Sequence, residues 1–355
     1  MFRSTPLREL YFSRLREFYR QPARIFWVYG FPTVVAVVLG LAFQSRPPES
    51  IQVDLVENAA APPVRKALEE YDLRARSEKK PVLILNVVSP EEAANRLRKG
   101  KTPLVIEAGA SRPLTYRYDP TRPEALSARA AIDDILQRAR GRIDPLATED
   151  SKVVERGSRY IDFVIPGLIG VNTMGGGLWG IGFLLVNFRI AKLLKCFVAT
   201  PMPRRDFLLA ILGARLTVLV PDLAVLLLLG NLGFGMPIRG SMLLIVTVEL
   251  AGALAFAGIG LLVASRANSI ETVSGLMNLV MIPMWLFSGV FFSSERFPKA
   301  VQPLIQALPL TQLNNALRQV ILFGEGWATV APALLILSAW AVVTFLLALR
   351  VFRWT

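Results

Sequence analysis

Long apolar runs occupy two regions of the chain, and a polar stretch of more than a hundred residues separates them. One run covers 25–43, and five more follow at about 160–187, 207–231, 241–264, 272–292 and 328–349. A helix needs about 20 mostly apolar residues to cross a bilayer. The pattern therefore predicts a polytopic α-helical membrane protein with six transmembrane helices, the first within 25–45 and the rest within 160–355.

The polar stretch, residues 46–159, alternates the periodicities of strands and helices. Strands are predicted at 51–56, 81–88, 104–108 and 114–118, and helices at 62–76, 90–100 and 123–140. Ser89, followed by Pro90 and by Glu92 three residues on, has the pattern of a helix N-terminus. We predict an inserted small α/β domain whose acidic and basic side chains lie on solvated helix faces.

The residues before the first run have the pattern of an amphipathic helix. Apolar side chains recur there at spacings of three and four, with Arg and Glu between them: Leu7, Leu10, Tyr11, Leu15 and Phe18. A basic amphipathic helix next to a span fits one lying in the membrane interface. We predict that 1–24 is such an interfacial helix on the cytoplasmic side; the alternative is a plain cytoplasmic cap.

Positive charge indicates the orientation. Lys and Arg concentrate in three segments that flank the spans: Arg3, Arg8, Arg14, Arg16, Arg20 and Arg24; Arg189, Lys192, Lys195, Arg204 and Arg205; Arg350 and Arg353. Cytoplasmic segments carry this excess, so we predict both termini in the cytoplasm, the inserted domain extracytoplasmic, and a multi-pass protein of the cell inner membrane. The net charge of +13 then indicates attraction to anionic membrane lipids rather than nucleic-acid binding.

The residues that catalytic and metal sites use are scarce. The chain has no histidine and one cysteine, Cys196, which excludes Ser-His-Asp and Cys-His nucleophile systems and His-based zinc motifs. Gly100, Lys101 and Thr102 resemble the end of a phosphate-binding loop, but Asn95 stands where that motif has its first glycine. We expect no catalytic, cofactor or metal site and no ATP site in this chain.

Three charged residues fall inside predicted spans. Arg215 and Asp222 lie in the third span and Glu249 lies in the fourth. Charges within a membrane usually face the protein interior, where they pair or line a path. One hypothesis is a structural pair of Arg215 with an acid that holds helices together, and the other is a proton or ion relay.

Several segments in order along the chain resemble the ABC-2 type permeases, the membrane subunits of one class of ATP-binding-cassette exporter. Residues 160–168 resemble the entry to the second span, and 197–205 resemble the cytoplasmic coupling segment. Residues 287–292 with Phe297-Pro298 resemble the end of the fifth span, and 308–318 resemble its re-entrant hairpin. In the polar insert, 92–100 with 118–120 resemble the large external domain of one subgroup. The family's acidic stretch before the coupling segment is replaced here by the basic 189–196.

The resemblance implies a permease that works with a separate ABC ATPase, which binds ATP and Mg, and with a second permease copy as a homodimer or paired heterodimer. Its coupling loop would be 189–206, with Thr200, Pro201, Met202, Arg204 and Arg205. Its external re-entrant segment would be 293–326, expected as short helices at the surface. Its second and fifth spans would face the substrate path, with Asn172, Met174, Asn278, Met281 and Trp285 as candidate path residues. Exporters of lipids, drugs, peptides, glycans and ions share this outline.

Two other functions fit parts of the pattern. A secondary transporter or channel would use Arg215, Asp222 and Glu249 as its relay. A membrane enzyme or receptor would use the outer domain, although that domain has no clustered pair of carboxylates. An accompanying ATPase distinguishes the exporter from both.

Overall fold

The computed structural model describes residues 5–43, 50–78, 81–109, 113–143, 157, 159–199 and 203–351. The chain divides into two compact units. The first combines Met1–Gln44 with Val153–Thr355, and the second is Ser45–Lys152. The polar stretch of the sequence thus folds apart from the apolar runs that flank it.

Among the described residues of the first unit, six helices are long and apolar enough to cross a membrane, and we refer to them as spans 1 to 6. They are Pro22–Ala42, Tyr160–Ile190, Asp206–Gly233, Met242–Ala264, Ile270–Phe287 and Trp327–Val351. Five of them follow the predicted runs to within a few residues. Span 5 ends at Phe287 rather than at the predicted 292, because the chain turns at Gly289, whose φ of +68° lies in the left-handed region that glycine adopts readily.

Spans 2 and 4 form the centre of this unit. About 56% and 61% of their apolar windows are buried within the chain, against 17% for spans 1 and 5. Small residues let the two central backbones approach closely: a Cβ on Gly260 would lie 2.5 Å from the carbonyl oxygen of Gly177. Just after Gly177, span 2 changes from α-helix to a π-helical segment at Leu178–Phe183. Spans 1 and 5 are left with outward-facing apolar surfaces.

The N-terminal amphipathic helix, α1 (Thr5–Tyr19), finds its partner in span 3. The hydroxyl groups of Tyr11 and Thr217 are 2.7 Å apart, and the Arg14 guanidinium lies 4.8 Å from the centroid of the Phe188 ring at the end of span 2. The half-buried side chains of α1 include all five residues of the predicted apolar stripe. The stripe therefore covers other helices of the same chain.

The second unit is a four-stranded sheet with helices on both faces. In chain order its elements are β1 (Ile51–Val56), α2 (Ala61–Glu78), β2 (Leu83–Val88), α3 (Pro90–Arg98), β3 (Leu104–Glu107), β4 (Thr115–Tyr118) and α4 (Pro123–Ala139). The strand order is β2-β1-β3-β4, with β4 antiparallel to β3 and the other pairs parallel. Helices α2 and α4 bury one face of the sheet, and α3 covers the other.

One charged pair of this unit lies inside it, which corrects the expectation that its charges are all solvated. Asp54 on β1 is fully buried, its Oδ2 lies 2.7 Å from Nε of Arg96 on α3, and its Oδ1 accepts a 3.0 Å hydrogen bond from Asn86. The hydrogen bond and charge of Asp54 raise the pKa of Arg96 above its usual value. A buried carboxylate needs such partners, so this contact fixes α3 on the sheet.

Three short helices complete the first unit. α5 (Leu193–Val198) follows span 2, and α6 (Gln302–Ala307) and α7 (Pro309–Ile321) follow span 5, after a 3-10 turn at Ser294–Arg296. The sequence predicts short helices in 293–326, and the structure has them. However, α7 is not at the surface as expected, because its apolar face packs among spans 2, 4, 5 and 6 and most of its residues are buried.

Candidate functional site

The two acids in the spans are held by neighbouring polar residues of span 2. Nδ2 of Asn172 donates a 2.5 Å hydrogen bond to Oδ1 of Asp222 on span 3 and a 2.8 Å bond to the carbonyl oxygen of Val28 on span 1. The next residue, Thr173, forms a hydrogen bond with Glu249 on span 4. Two consecutive residues thus connect span 2 to three other spans.

Arg215 does not form the direct ion pair that the first hypothesis requires. No acid makes an ion pair with it among the residues that the structure describes, and its carboxylate neighbours are engaged by Asn172 and Thr173 instead. Arg215 therefore has no direct contact with an acid, because span 2 places an amide and a hydroxyl next to the two carboxylates. Asp222 and Glu249 still attract Arg215 electrostatically, and a structural Arg–acid pair that holds helices together stays a prediction.

The Arg215 side chain crosses a glycine surface on span 2. A Cβ on Gly176 would lie 1.3 Å from its Nη2, and a Cβ on Gly180 would lie 3.3 Å from its Cδ. The guanidinium faces a cavity of about 850 Å³ that α1 and spans 1, 2 and 3 enclose. Asn172, a predicted path residue, lines the same cavity.

The five predicted path residues occupy different environments. Met174 is fully buried in the helical core, because its side of span 2 packs against neighbouring helices. Met281 is half-buried, and its sulfur accepts a 3.0 Å hydrogen bond from Nε1 of Trp179 on span 2. Asn278 and Trp285 are exposed on the same side of span 5, one turn to either side of Met281.

Three segments of the chain that carry motifs meet in one buried cluster. Arg318 on α7 donates a 2.5 Å hydrogen bond to the carbonyl oxygen of Gly289, after span 5, and 3.2 Å bonds to that of Phe163 on span 2. Its guanidinium also lies 3.6 Å from the centroid of the Phe163 ring. A planar fork of N–H donors suits this bridging of backbone carbonyls.

A second contact joins the same three elements. Nδ2 of Asn314 on α7 donates a 3.0 Å hydrogen bond to the carbonyl oxygen of Ser288. Its Oδ1 packs so closely against span 2 that a Cβ added at Gly170 would lie 2.0 Å from it. Span 2, the end of span 5 and α7 are therefore locked together. The sequence analysis did not single out Arg318 and Asn314 as site residues. The signal that could have identified them was their position on the polar side of an otherwise apolar helix, between two spans.

A comparison with protein families identifies the family of this chain. The model of the family described as "ABC-2 family transporter protein" matches residues 23–350, nearly the whole chain. The chain belongs to the ABC-2 transporter family.

Curated relatives agree with this family. The chain is 26% identical over 217 residues to ABC transporter G family member 20 of Dictyostelium discoideum, a match that covers 60% of this chain and 30% of that protein. It is 27% identical over 175 residues to the inner membrane transport permease YhhJ of Escherichia coli, covering 49% and 47%. A shorter match, 32% over 100 residues, is to nodulation protein J of Rhizobium leguminosarum, covering 28% and 38%. The chain spans less than half the length of each of these relatives.

Membership of the ABC-2 family makes the chain a multi-pass membrane component of a transporter. The match does not favour the secondary transporter or channel. Asp222 and Glu249 each accept a hydrogen bond from a polar residue of span 2.

The coupling loop of this ABC-2 protein is described only in part. Thr200, Pro201 and Met202 lie outside the described residues, as do the side chains of Arg204 and Arg205, which begin the helix of span 3. The sequence places Arg189 in a basic loop after span 2, but its side chain lies at the end of span 4. Its guanidinium donates to the carbonyl oxygens of Ala264, Ser265 and Ala267 at 2.6–3.0 Å, and so caps the C-terminus of span 4.

Proposed function

We propose that this chain forms the substrate path of an ABC exporter and that a separate ATPase subunit supplies the energy. The observation that carries the proposal is the family match over residues 23–350. In this proposal ATP and Mg bind to the partner, and the chain itself holds no cofactor. The name of one relative supports a transport role: it is an inner membrane transport permease of Escherichia coli.

We propose a second permease copy as the other partner, in a homodimer or a paired heterodimer. The support is the surface of span 5, where Leu279, Ile282 and Leu286 are each more than half exposed. Asn278 and Trp285 lie beside them. A second copy that covers this surface would close a path lined by Asn278, Met281 and Trp285, with Asn172 of span 2 as a further lining residue.

The proposed location is the inner membrane, with both termini in the cytoplasm and the sheet unit outside. The support is the distribution of Lys and Arg in the short segments beside the spans. In this orientation the loop 189–206 faces the ATPase. Thr200, Pro201 and Met202 would form a stiff contact segment, because proline restricts the backbone, with Arg204 and Arg205 next to it.

Purification of the full chain from its own host membranes tests the proposal. We expect an ABC ATPase to copurify, and we expect ATP hydrolysis and ATP-driven transport in vesicles only when that ATPase is present. ATP turnover by the isolated chain that disappears in Lys101→Ala would contradict the proposal. Transport by the chain alone, driven by an ion gradient, would contradict it in favour of a secondary transporter.

A further inference from the structure

The cavity beside Arg215 runs along the second span rather than across the unit. Its lining includes both Asn172 and Asn187, and a helix rises 1.5 Å per residue, so it follows span 2 for about 22 Å. α1 and the start of span 1 form the opposite wall. A cavity of this length can accommodate an extended molecule.

The walls of the cavity are mainly hydrocarbon and aromatic. Their side chains come from α1 and three spans: Phe18, Trp27, Trp179, Phe183, Ile211 and Val218. Trp27 is 62% exposed and Arg24 is also exposed, so the cavity reaches the surface of the unit between them. Since span 1 lies in the membrane, this opening faces lipid, and the walls have the same apolar character as the bilayer interior from which a hydrocarbon chain would enter.

The charge inside the cavity is positive. Its ionisable lining consists of three arginines and one glutamate, Glu17. Glu17 makes ion pairs with Arg14 and Arg24, at 2.6 Å and 3.2 Å, and Asp222 is held by Asn172. Within the part of the chain that the structure describes, Asp222 and Glu249 attract Arg215 electrostatically but neither forms a contact ion pair with it, so its N–H donors lie at the cavity.

We propose that this cavity binds an anionic lipid, with the acidic head group at Arg215 and a hydrocarbon chain along the walls. A cation within a span is costly unless an anion or water compensates it, and basic pockets between membrane helices bind anionic head groups. The apolar walls select a lipid over a small soluble anion. This binding goes beyond the proposed transport function, since it requires neither ATPase nor turnover.

Two glycines within spans supply a matched pair of variants. Gly176→Ala places a methyl group where the Arg215 guanidinium now lies, whereas Gly275→Ala on span 5, which does not line the cavity, places one where no atom lies within 4 Å. Both changes add the same methyl group to a span of the first unit. Arg215→Met removes the charge and keeps an unbranched side chain.

The test is binding of a fluorescent phosphatidylglycerol to the purified full chain, with a phosphatidylcholine of identical chains as the reference. We expect the wild type and Gly275→Ala to prefer the anionic lipid by roughly five- to tenfold, the scale of one arginine–lipid interaction. Arg215→Met should lose the preference while its phosphatidylcholine binding is unchanged, and Gly176→Ala should reduce it.

Each contrary outcome overturns the proposal. If the wild type binds the two lipids equally, the cavity does not recognise an anionic head group. If both Arg215→Met and Gly176→Ala keep the preference, the anionic head group binds at another place on the protein. Displacement of the fluorescent lipid by inorganic phosphate would show a site for a soluble anion. If Arg215→Met does not fold, the comparison of Gly176→Ala with Gly275→Ala decides alone.

Discussion

Arg318 binds Phe163 twice over: its guanidinium donates two 3.2 Å hydrogen bonds to the Phe163 carbonyl and lies 3.6 Å from the centroid of the Phe163 ring. The two residues are far apart in the sequence, on span 2 and on α7. Together with the bond from Arg318 to Gly289, this contact ties the helix after span 5 to the entry of span 2. In this ABC-2 protein, the short helices after span 5 are therefore part of the core of the unit.

Replacing Arg318 by Gln should destabilise the protein. The change removes charge-assisted hydrogen bonds to buried carbonyl groups, each worth roughly 1.5–3 kcal/mol. Thermal unfolding in detergent, followed by tryptophan fluorescence, measures the loss. Arg296→Gln, at an exposed arginine of the same segment, is the control and should leave the midpoint unchanged. Equal midpoints for both variants would contradict a structural role for Arg318.

Alanine at Gly260 should be poorly tolerated, and alanine at Gly275 should not. A Cβ at Gly260 would lie 2.5 Å from the Gly177 carbonyl oxygen, a backbone atom that cannot rotate away, whereas a Cβ at Gly275 meets no atom within 4 Å. Overpacking of this kind costs about 1–3 kcal/mol, and alanine in an open helix position gains up to about 1 kcal/mol. The yield of folded protein and the unfolding midpoint check both. A loss at Gly275 would instead indicate that another molecule covers that side of span 5.

Arg189→Gln should loosen the end of span 4. The guanidinium donates to three backbone carbonyls there, and a cation at a helix C-terminus also interacts favourably with the helix dipole, by about 0.3–1 kcal/mol at exposed positions. Hydrogen–deuterium exchange should rise in peptides that cover 258–268. Lys195→Gln, at an exposed position of the same loop, is the control. Unchanged exchange in Arg189→Gln would contradict the cap and leave Arg189 as a residue of the predicted coupling loop, 189–206.

The proposed orientation has a direct chemical test. A cysteine at Ser127, exposed on α4, should react with a membrane-impermeant thiol reagent added to sealed cells. Cys196, which is exposed but in the loop assigned to the cytoplasm, should react only after the membrane is opened. Labelling of Cys196 in sealed cells would reverse the orientation.

Reversal of Arg204 and Arg205 to Glu tests the proposed coupling segment. If the two arginines contact acidic residues of the ATPase, the double variant should copurify with less ATPase while the permease remains folded in the membrane. Like charges that face each other across an interface are unfavourable, which gives the direction of the effect. Retained copurification and retained ATP-driven transport would make them anchors at the membrane surface instead.

The amino-acid sequence by itself determined the number of spans and most of the secondary structure. Burial in a bilayer depends on the apolar character of about 20 consecutive residues, which is a local property. The same holds for the start of α3, where Ser89 accepts a hydrogen bond from the backbone N–H of Glu92, as the Ser-Pro-Glu-Glu pattern predicts. The apolar stripe of α1 was also readable, because it depends only on helical periodicity.

Only the tertiary structure decided what the polar residues in the spans do. Depth along a helix placed Arg215 near Asp222, but the orientation of span 2 put Asn172 and Thr173 against the acids and left Arg215 facing a cavity. The burial of Asp54, the cap formed by Arg189 and the bridge formed by Arg318 have the same origin. The partner of a hydrogen-bonding group depends on which element packs beside it, and periodicity along one helix carries no record of its neighbours.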